Sequence, residues 1–214
     1  MPRLAPFYPA MVVFVGAVLV ALGGFWASWR QSNFNQEIRK KNEEISALQK
    51  DSMEAVIGGD SYAYIIFQAF DREGKIPNGN AMPDQLLLVP MFIHRGKHPL
   101  YDVSARIVDL DLMKKNINSA MNNYSVGNMT PNLAATTAHQ ILHEGKDFSF
   151  NIFFTARNGT WTQFLRMPWI GNGWGSAIKV IRDGRVVFRE VSDNFPRTSD
   201  GKVDWGEPGA QDVD

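Results

Sequence analysis

From Leu4 to Trp29 the chain runs LAPFYPAMVVFVGAVLVALGGFWASW without one charged residue. An α-helix rises about 1.5 Å per residue, so roughly 20 apolar residues cross the hydrocarbon of a bilayer. The run predicts a transmembrane helix that takes the lipid bilayer as its partner through residues 4–29. Tyr8 at one end and Trp26 and Trp29 at the other stand where interfacial aromatic residues belong, and Pro6 and Pro9 lie in or near the first turn, where proline is tolerated. The competing reading is a cleaved signal peptide. It has Ala21-Leu22-Gly23 as its one tolerable cleavage site and an apolar region longer than the usual span of about 7–15 residues.

The side of the membrane on which the rest of the chain lies is contested by its own flanks. Arg3 and the terminal amine precede the span, whereas Arg30, Arg39, Lys40 and Lys41 follow it, and that count alone favours a cytoplasmic head. Against it, a very short N-terminal tail with one arginine is the usual start of a signal-anchor. The cluster at 39–41 also begins roughly 15 Å beyond Trp29 along a helix, with Glu43 and Glu44 compensating it. The reading adopted is a single-pass signal-anchor with an extracytoplasmic, periplasmic head, and a cytoplasmic head is the runner-up.

The remaining composition excludes several classes. Twenty-two basic residues balance twenty-two acidic ones, so the chain has no electrostatic reason to seek nucleic acid. It contains no cysteine, which removes thiolate nucleophiles, Cys-ligated zinc and disulfides. No cofactor is expected. Four segments follow: an anchor over 1–29, a helical stalk over 30–58, a head over 59–192 and an acidic Gly/Pro-rich tail over 193–214, whose last ten residues should be mobile while Phe195 and Trp205 pin its earlier part. In the stalk, strong helix formers continue without proline and Glu37 stands four residues before Lys41. Phe34, Ile38, Ile45 and Leu48 follow a coiled-coil 3-4 alternation broken by Lys41 and Ser52, which allows weak self-association as well as a plain solvated spacer. Gly58, Gly59 and Asp60 form the structural joint: the glycines supply the left-handed conformation that ends a helix, and SYAYIIF begins a strand.

At this joint GGDSYAYI (58–65), together with HRGKHPLYDVSARIVDLD (94–111) and DNFPRTSDGKVDW (193–205), resembles a group of uncharacterised bacterial single-pass membrane proteins. In these a helix leads through a Gly-Gly-Asp-Ser-aromatic turn into a β-sandwich. The resemblance implies that architecture and carries over no catalytic residue.

The head reads as mainly β, an immunoglobulin-like sandwich of about seven to eight strands. Leu87, Val89, Met91 and Ile93 alternate on one face, then Val103, Ala105 and Ile107 after an Arg-Gly-Lys turn region. Phe148, Phe150, Ile152 and Phe154 alternate before an Asn158-Gly159 turn and the partner strand TWTQFLRM, and Asp183-Gly184 is the preferred two-residue turn of a hairpin. Residues 110–134 read as a turn or two of helix and then an Asn-rich loop.

Candidate chemistry is sparse. The four histidines form two H-x3-H pairs, His94/His98 and His139/His143, but one crosses a turn. The other reads as a strand, where residues four apart stand about 13 Å from each other. They are expected on the surface, flanking hairpins, and no metal site is assigned. Asp60, Asp102, Asp109 and Asp111 lack calcium-loop spacing and read as caps, and Ser61 lacks the setting of a nucleophile. Candidate contact residues are Trp169, Asn172 and Trp174, in a Gly-rich aromatic loop, and Asn122, Asn123 and Tyr124. The favoured class is therefore a non-catalytic interaction protein binding another protein of its envelope system. The runner-up is a head that binds a sugar or small molecule through the Trp169/Trp174 and Asn-rich loops.

Overall fold

A computed structural model describes residues 7–77, 85–115, 120–171 and 173–206. The chain divides into two compact units, Met1–Ser52 and Met53–Asp214. Helix α1 (Phe7–Ile57) accounts for the first unit and contributes its last residues to the second. By length and composition α1 is long and apolar enough to cross a membrane.

Among the described residues the second unit holds ten strands in two antiparallel sheets, where seven to eight were expected. β1 (Tyr62–Phe70) and β2 (Gln85–Arg95) pair along their length, and β5 (Ala134–Thr136) and β6 (Ile141–Glu144) share the other side of β2. The larger sheet adds β3 (Leu100–Asp109), β4 (Met121–Met129), β7 (Phe148–Ala156), β8 (Gly159–Met167), β9 (Ala177–Arg182) and β10 (Arg185–Val191), in the order β10-β9-β8-β7-β3-β4. A short helix, α2 (Leu110–Lys115), follows β3.

Between the sheets lies the main core. Phe148, Phe150, Ile152 and Phe154 point into it together with Val103, Ala105 and Ile107, as their alternation predicts. On β2 the alternation holds, but the core side is the opposite one. Leu86, Leu88, Phe92 and His94 are buried, whereas Leu87, Val89, Met91 and Ile93 share the half-buried outer face. Asp183 and Gly184 make the β9–β10 turn with positive φ values of 51° and 72°. The β7–β8 turn sits one residue earlier than read: Ala156 pairs with Gly159, leaving Arg157 and Asn158 at the tip.

The open edge of β1 is closed by side chains of the opposite sheet. Gln163, fully buried on β8, accepts from the Ile65 N–H and donates to its carbonyl, both at 2.7 Å, and Trp161 donates to the Ala63 carbonyl at 2.6 Å. One amide thus imitates a neighbouring strand and removes an edge that would otherwise invite pairing.

The larger sheet also has a second, outer core. Phe164 and Ala177 meet Phe195, Val203 and Trp205 of the segment after β10, so Phe195 and Trp205 do pin the tail. Lys179, buried at this layer, holds its ammonium 4.5 Å from the Trp205 ring centre and 5.3 Å from that of Phe164. Arg166 donates to the carbonyls of Trp205, Phe150 and Leu165 and to Asn151 Oδ1. Of the ten residues expected to be mobile, 207–214 lie outside the described residues.

Candidate functional site

The joint gathers several hydrogen bonds from distant parts of the head. A helix C-terminus leaves carbonyls without intrahelical donors, and a left-handed residue turns the chain away from them. Gly58 and Gly59 take φ values of 101° and 53°, and the Gly58 N–H closes on the Glu54 carbonyl at 2.8 Å. The carbonyls beyond are met from two distant turns. Asn158 Nδ2 donates to Ser61 O at 2.7 Å, Gly59 O at 3.0 Å and Gly58 O at 3.3 Å. Arg182 donates to Ser61 O at 2.9 Å, Gly59 O at 3.3 Å and Asn158 O at 2.6 Å. Ser61 is fully buried and its Oγ accepts from the His98 N–H at 3.0 Å. Gly96 passes so close that a Cβ there would stand 2.6 Å from Ser61 Cα, and one on Gly59 would stand 2.8 Å from the His98 ring. Asp60 is exposed and takes no such part. This arrangement locks backbone and leaves no opening for chemistry at Ser61.

The tryptophans of the aromatic loop do come together. Trp169 and Trp174 form an isolated bridge with rings edge to face at 4.9 Å, and Trp174 stacks on the core residue Phe148 at 5.3 Å while donating to the Lys146 carbonyl. The Trp169 N–H donates to Asp147 Oδ1 at 2.7 Å. Both rings are half-buried rather than presented as a free platform. Asn172 lies outside the described residues. A cleft of about 600 Å³ is lined by Asp111, Lys146, Asp147, Met167, Pro168 and Arg197 among others and reaches the start of the aromatic loop at Pro168, but neither tryptophan lines it.

Asn122, Asn123 and Tyr124 are not in a loop: they belong to β4 and pair with Ile107, Arg106 and Ala105 of β3. Tyr124 points into the core near Phe92, where burial pushes its hydroxyl up to about 12. Asn123 is exposed on the outer face. The structure does not join these three to the tryptophans, because β4 is an outermost strand and the aromatic loop follows β8 on the other side of β7 and β3.

The histidines are not surface residues flanking hairpins, except for exposed His139. His94 Nε2 donates to the His98 carbonyl at 2.9 Å, leaving Nδ1 buried without a partner, and burial holds its imidazole below the ordinary value. His98 faces Glu54 at 3.5 Å. His143 bridges Asp109 Oδ2 and the Asp147 carbonyl, each at 2.8 Å. Burial pushes the Asp109 carboxyl up, but the bonds from His143 and from the Leu112 and Asp111 N–H groups outweigh it and hold the carboxyl below its usual range. Asp109 thereby caps α2, as an isolated aspartate was expected to do. His143 pairs across from Leu86 and His94 lies eight residues further along β2, roughly 26 Å away, so the two H-x3-H pairs do not converge.

Scans against protein-family models, curated proteins and solved structures return no match. The residues that the sequence reading missed are Asn158, Arg182, Gln163 and Arg166, polar side chains whose partners are main-chain groups far away in the chain. Only Asn158, beside a turn glycine, carried any local signal.

Proposed function

We propose that this chain is a membrane-anchored, non-catalytic interaction protein of a bacterial envelope: α1 spans the bilayer, its polar half is a stalk, and the immunoglobulin-like head binds another envelope protein on the periplasmic side. The outer face of the larger sheet carries this reading. Around Phe164 and Ala177 that face is covered by the chain's own Phe195, Val203 and Trp205. Towards β4 the ladder sets Asn123, Arg106 and Phe153 side by side. Phe153 is 38% exposed, and the Arg106 guanidinium lies 5.0 Å from its ring centre. An aromatic–arginine pair on a rigid sheet is the composition that contact surfaces favour. The polar side chains of Asn158, Gln163, Arg166 and Arg182, by contrast, are engaged in holding backbone.

The test is purification of the tagged full chain in mild detergent, comparing wild type with Phe153→Ser and Arg106→Glu. Loss of the same co-purifying protein from both variants, with head melting unchanged, is expected; its retention by both would refute the assignment of this face. A fluorescent reporter fused after Asp214 that matures only in the cytoplasm, paired with a phosphatase active only outside it, decides the side. Phosphatase activity without fluorescence is expected.

A second reading rests on the cleft that Pro168, next to Trp169 in the chain, lines together with Lys146 and Asp147, which has the size of a small-molecule site and a mixed polar and apolar lining. Under that reading the head binds a sugar or small molecule. Quenching of tryptophan emission by a screened sugar, abolished in Trp169→Ala, would favour it over the protein partner.

A further inference from the structure

The stalk and the span share one helix, and one heptad phase sorts the residues of both. Phe34, Ile38, Ile45 and Leu48 set the phase, with Ile38 and Ile45 at a and Phe34 and Leu48 at d. All four are between 42% and 62% exposed. Counted back into the apolar run, the same phase places every small residue of Met11–Trp29 on the a, d, e and g positions: Gly16, Ala17, Ala21, Gly23, Gly24, Ala27 and Ser28. Leu19, Leu22, Phe25, Trp26 and Trp29 fall on b, c and f, the opposite face, while Val20 stands at d within the seam and Val13 and Phe14 at d and e before it. Nothing in the structure stands within 4 Å of where a Cβ would sit on Gly16, Gly23 or Gly24.

The two halves need different residues for the same purpose. In water, large apolar a and d side chains drive association by leaving solvent. In lipid that drive is absent, and close backbone approach through small residues takes over. A single seam that is small where it meets lipid and large where it meets water fits a second helix running alongside through both. We infer that the chain forms a parallel homodimer whose seam runs continuously from Ala17 to Leu48.

The membrane decides the orientation, since two copies of one chain in one bilayer run parallel. Position g carries Arg30, Glu37 and Glu44, and position e carries Asn35, Asn42 and Gln49. Parallel helices set each g against an e of the partner, charge against amide, so like charges do not meet. Lys41 is the one charge at an a or d position between Ala17 and Leu48, and Glu44 of its own chain already holds its ammonium at 3.3 Å. With Gln31 at a, it supplies the polar positions that fix register at some loss of stability.

Because the chain has no cysteine, single cysteines report the seam directly in the intact protein in its membrane. Ala27→Cys, Ile45→Cys and Leu48→Cys should oxidise to covalent dimer several-fold more than Leu22→Cys, Glu43→Cys and Ala47→Cys, which point away from it. Equal yields around the helix, or no dimer from the seam positions, would overturn the inference. A second measurement separates it from misfolding: Gly24→Leu combined with Ile45→Glu should convert the detergent-solubilised chain from dimer to monomer mass while head melting stays the same. A mass unchanged by the pair, or monomeric already in the wild type, also overturns it. Neither experiment depends on the Arg106/Phe153 face, so either proposal can fail alone.

Discussion

Gly96 and Gly59 show how much of the head depends on the absence of a single carbon. Gly96 has φ 121°, open essentially to glycine alone, and an added Cβ would strike the backbone of Ser61. Gly59 has φ 53°, which a side chain can adopt at a cost, and its Cβ would meet a ring that has some room to turn. Gly96→Ala should therefore cost about 2–3 kcal/mol and Gly59→Ala about 1 kcal/mol in denaturant unfolding, and the reverse order would contradict this account of the joint. His94 acts through its protonation. Burial favours the neutral imidazole, so the folded value lies below the ordinary 6.5, and below pH 6.5 the unfolded chain takes up a proton that the folded one refuses. Stability from this residue is thus complete above pH 6.5 and declines as the pH falls from there. Asp109 has the same sign at lower pH: its depressed carboxyl contributes stability above about 3.8 that is lost as the pH falls through the folded value. His94→Gln, which keeps a donor for the His98 carbonyl, should flatten the fall of the unfolding midpoint between pH 6.5 and the acid region relative to wild type. An unchanged slope would assign that fall to other groups.

The elements differ in how far sequence could reveal them. Phe148, Phe150, Ile152 and Phe154 alternate with Ser149, Asn151 and Phe153, two of the three polar, so strand and inward face followed together. In Leu86-Leu87-Leu88-Val89 both faces are apolar, so a strand could be read but its core side could not; that side is set by which residues meet β3 and β7. β4 was missed for the opposite reason. Its Asn, Ser and Gly residues carry little strand preference, and it exists because β3 offers an open edge. The buried histidines were illegible because their partners, the His98 and Asp147 carbonyls and Asp109, become neighbours only after the sheets pack. Two contacts between elements make predictions of their own. Gln163→Leu leaves the Ile65 N–H and carbonyl buried without partners, which should cost about 2–4 kcal/mol, more than its small change in volume would suggest. Trp205→Ala uncovers Phe164 and Lys179 and should cost about 2–3 kcal/mol while also making the chain after Val191 accessible to protease. Unfolding that matches wild type in both variants would mean that these contacts only decorate the sheets.

At the scale of the whole molecule, both hydrophobic cores lie between Ala63 and Trp205, within the second compact unit. No residue before Met53 belongs to either. A chain lacking residues 1–30 should accordingly be soluble and give a β-type circular dichroism spectrum with one cooperative unfolding transition. The same truncation removes the small-residue half of the seam and leaves Phe34, Ile38, Ile45 and Leu48, about two heptads interrupted by Lys41, which is shorter than a stable isolated coiled coil requires. The truncated chain should therefore sediment as a monomer at micromolar concentration, in contrast to the dimer proposed for the full chain. Aggregated material without a β signature would show that the head depends on its anchor. A stable dimer of the truncated chain would place the association in the stalk or the head, and the span would then be an anchor and nothing more.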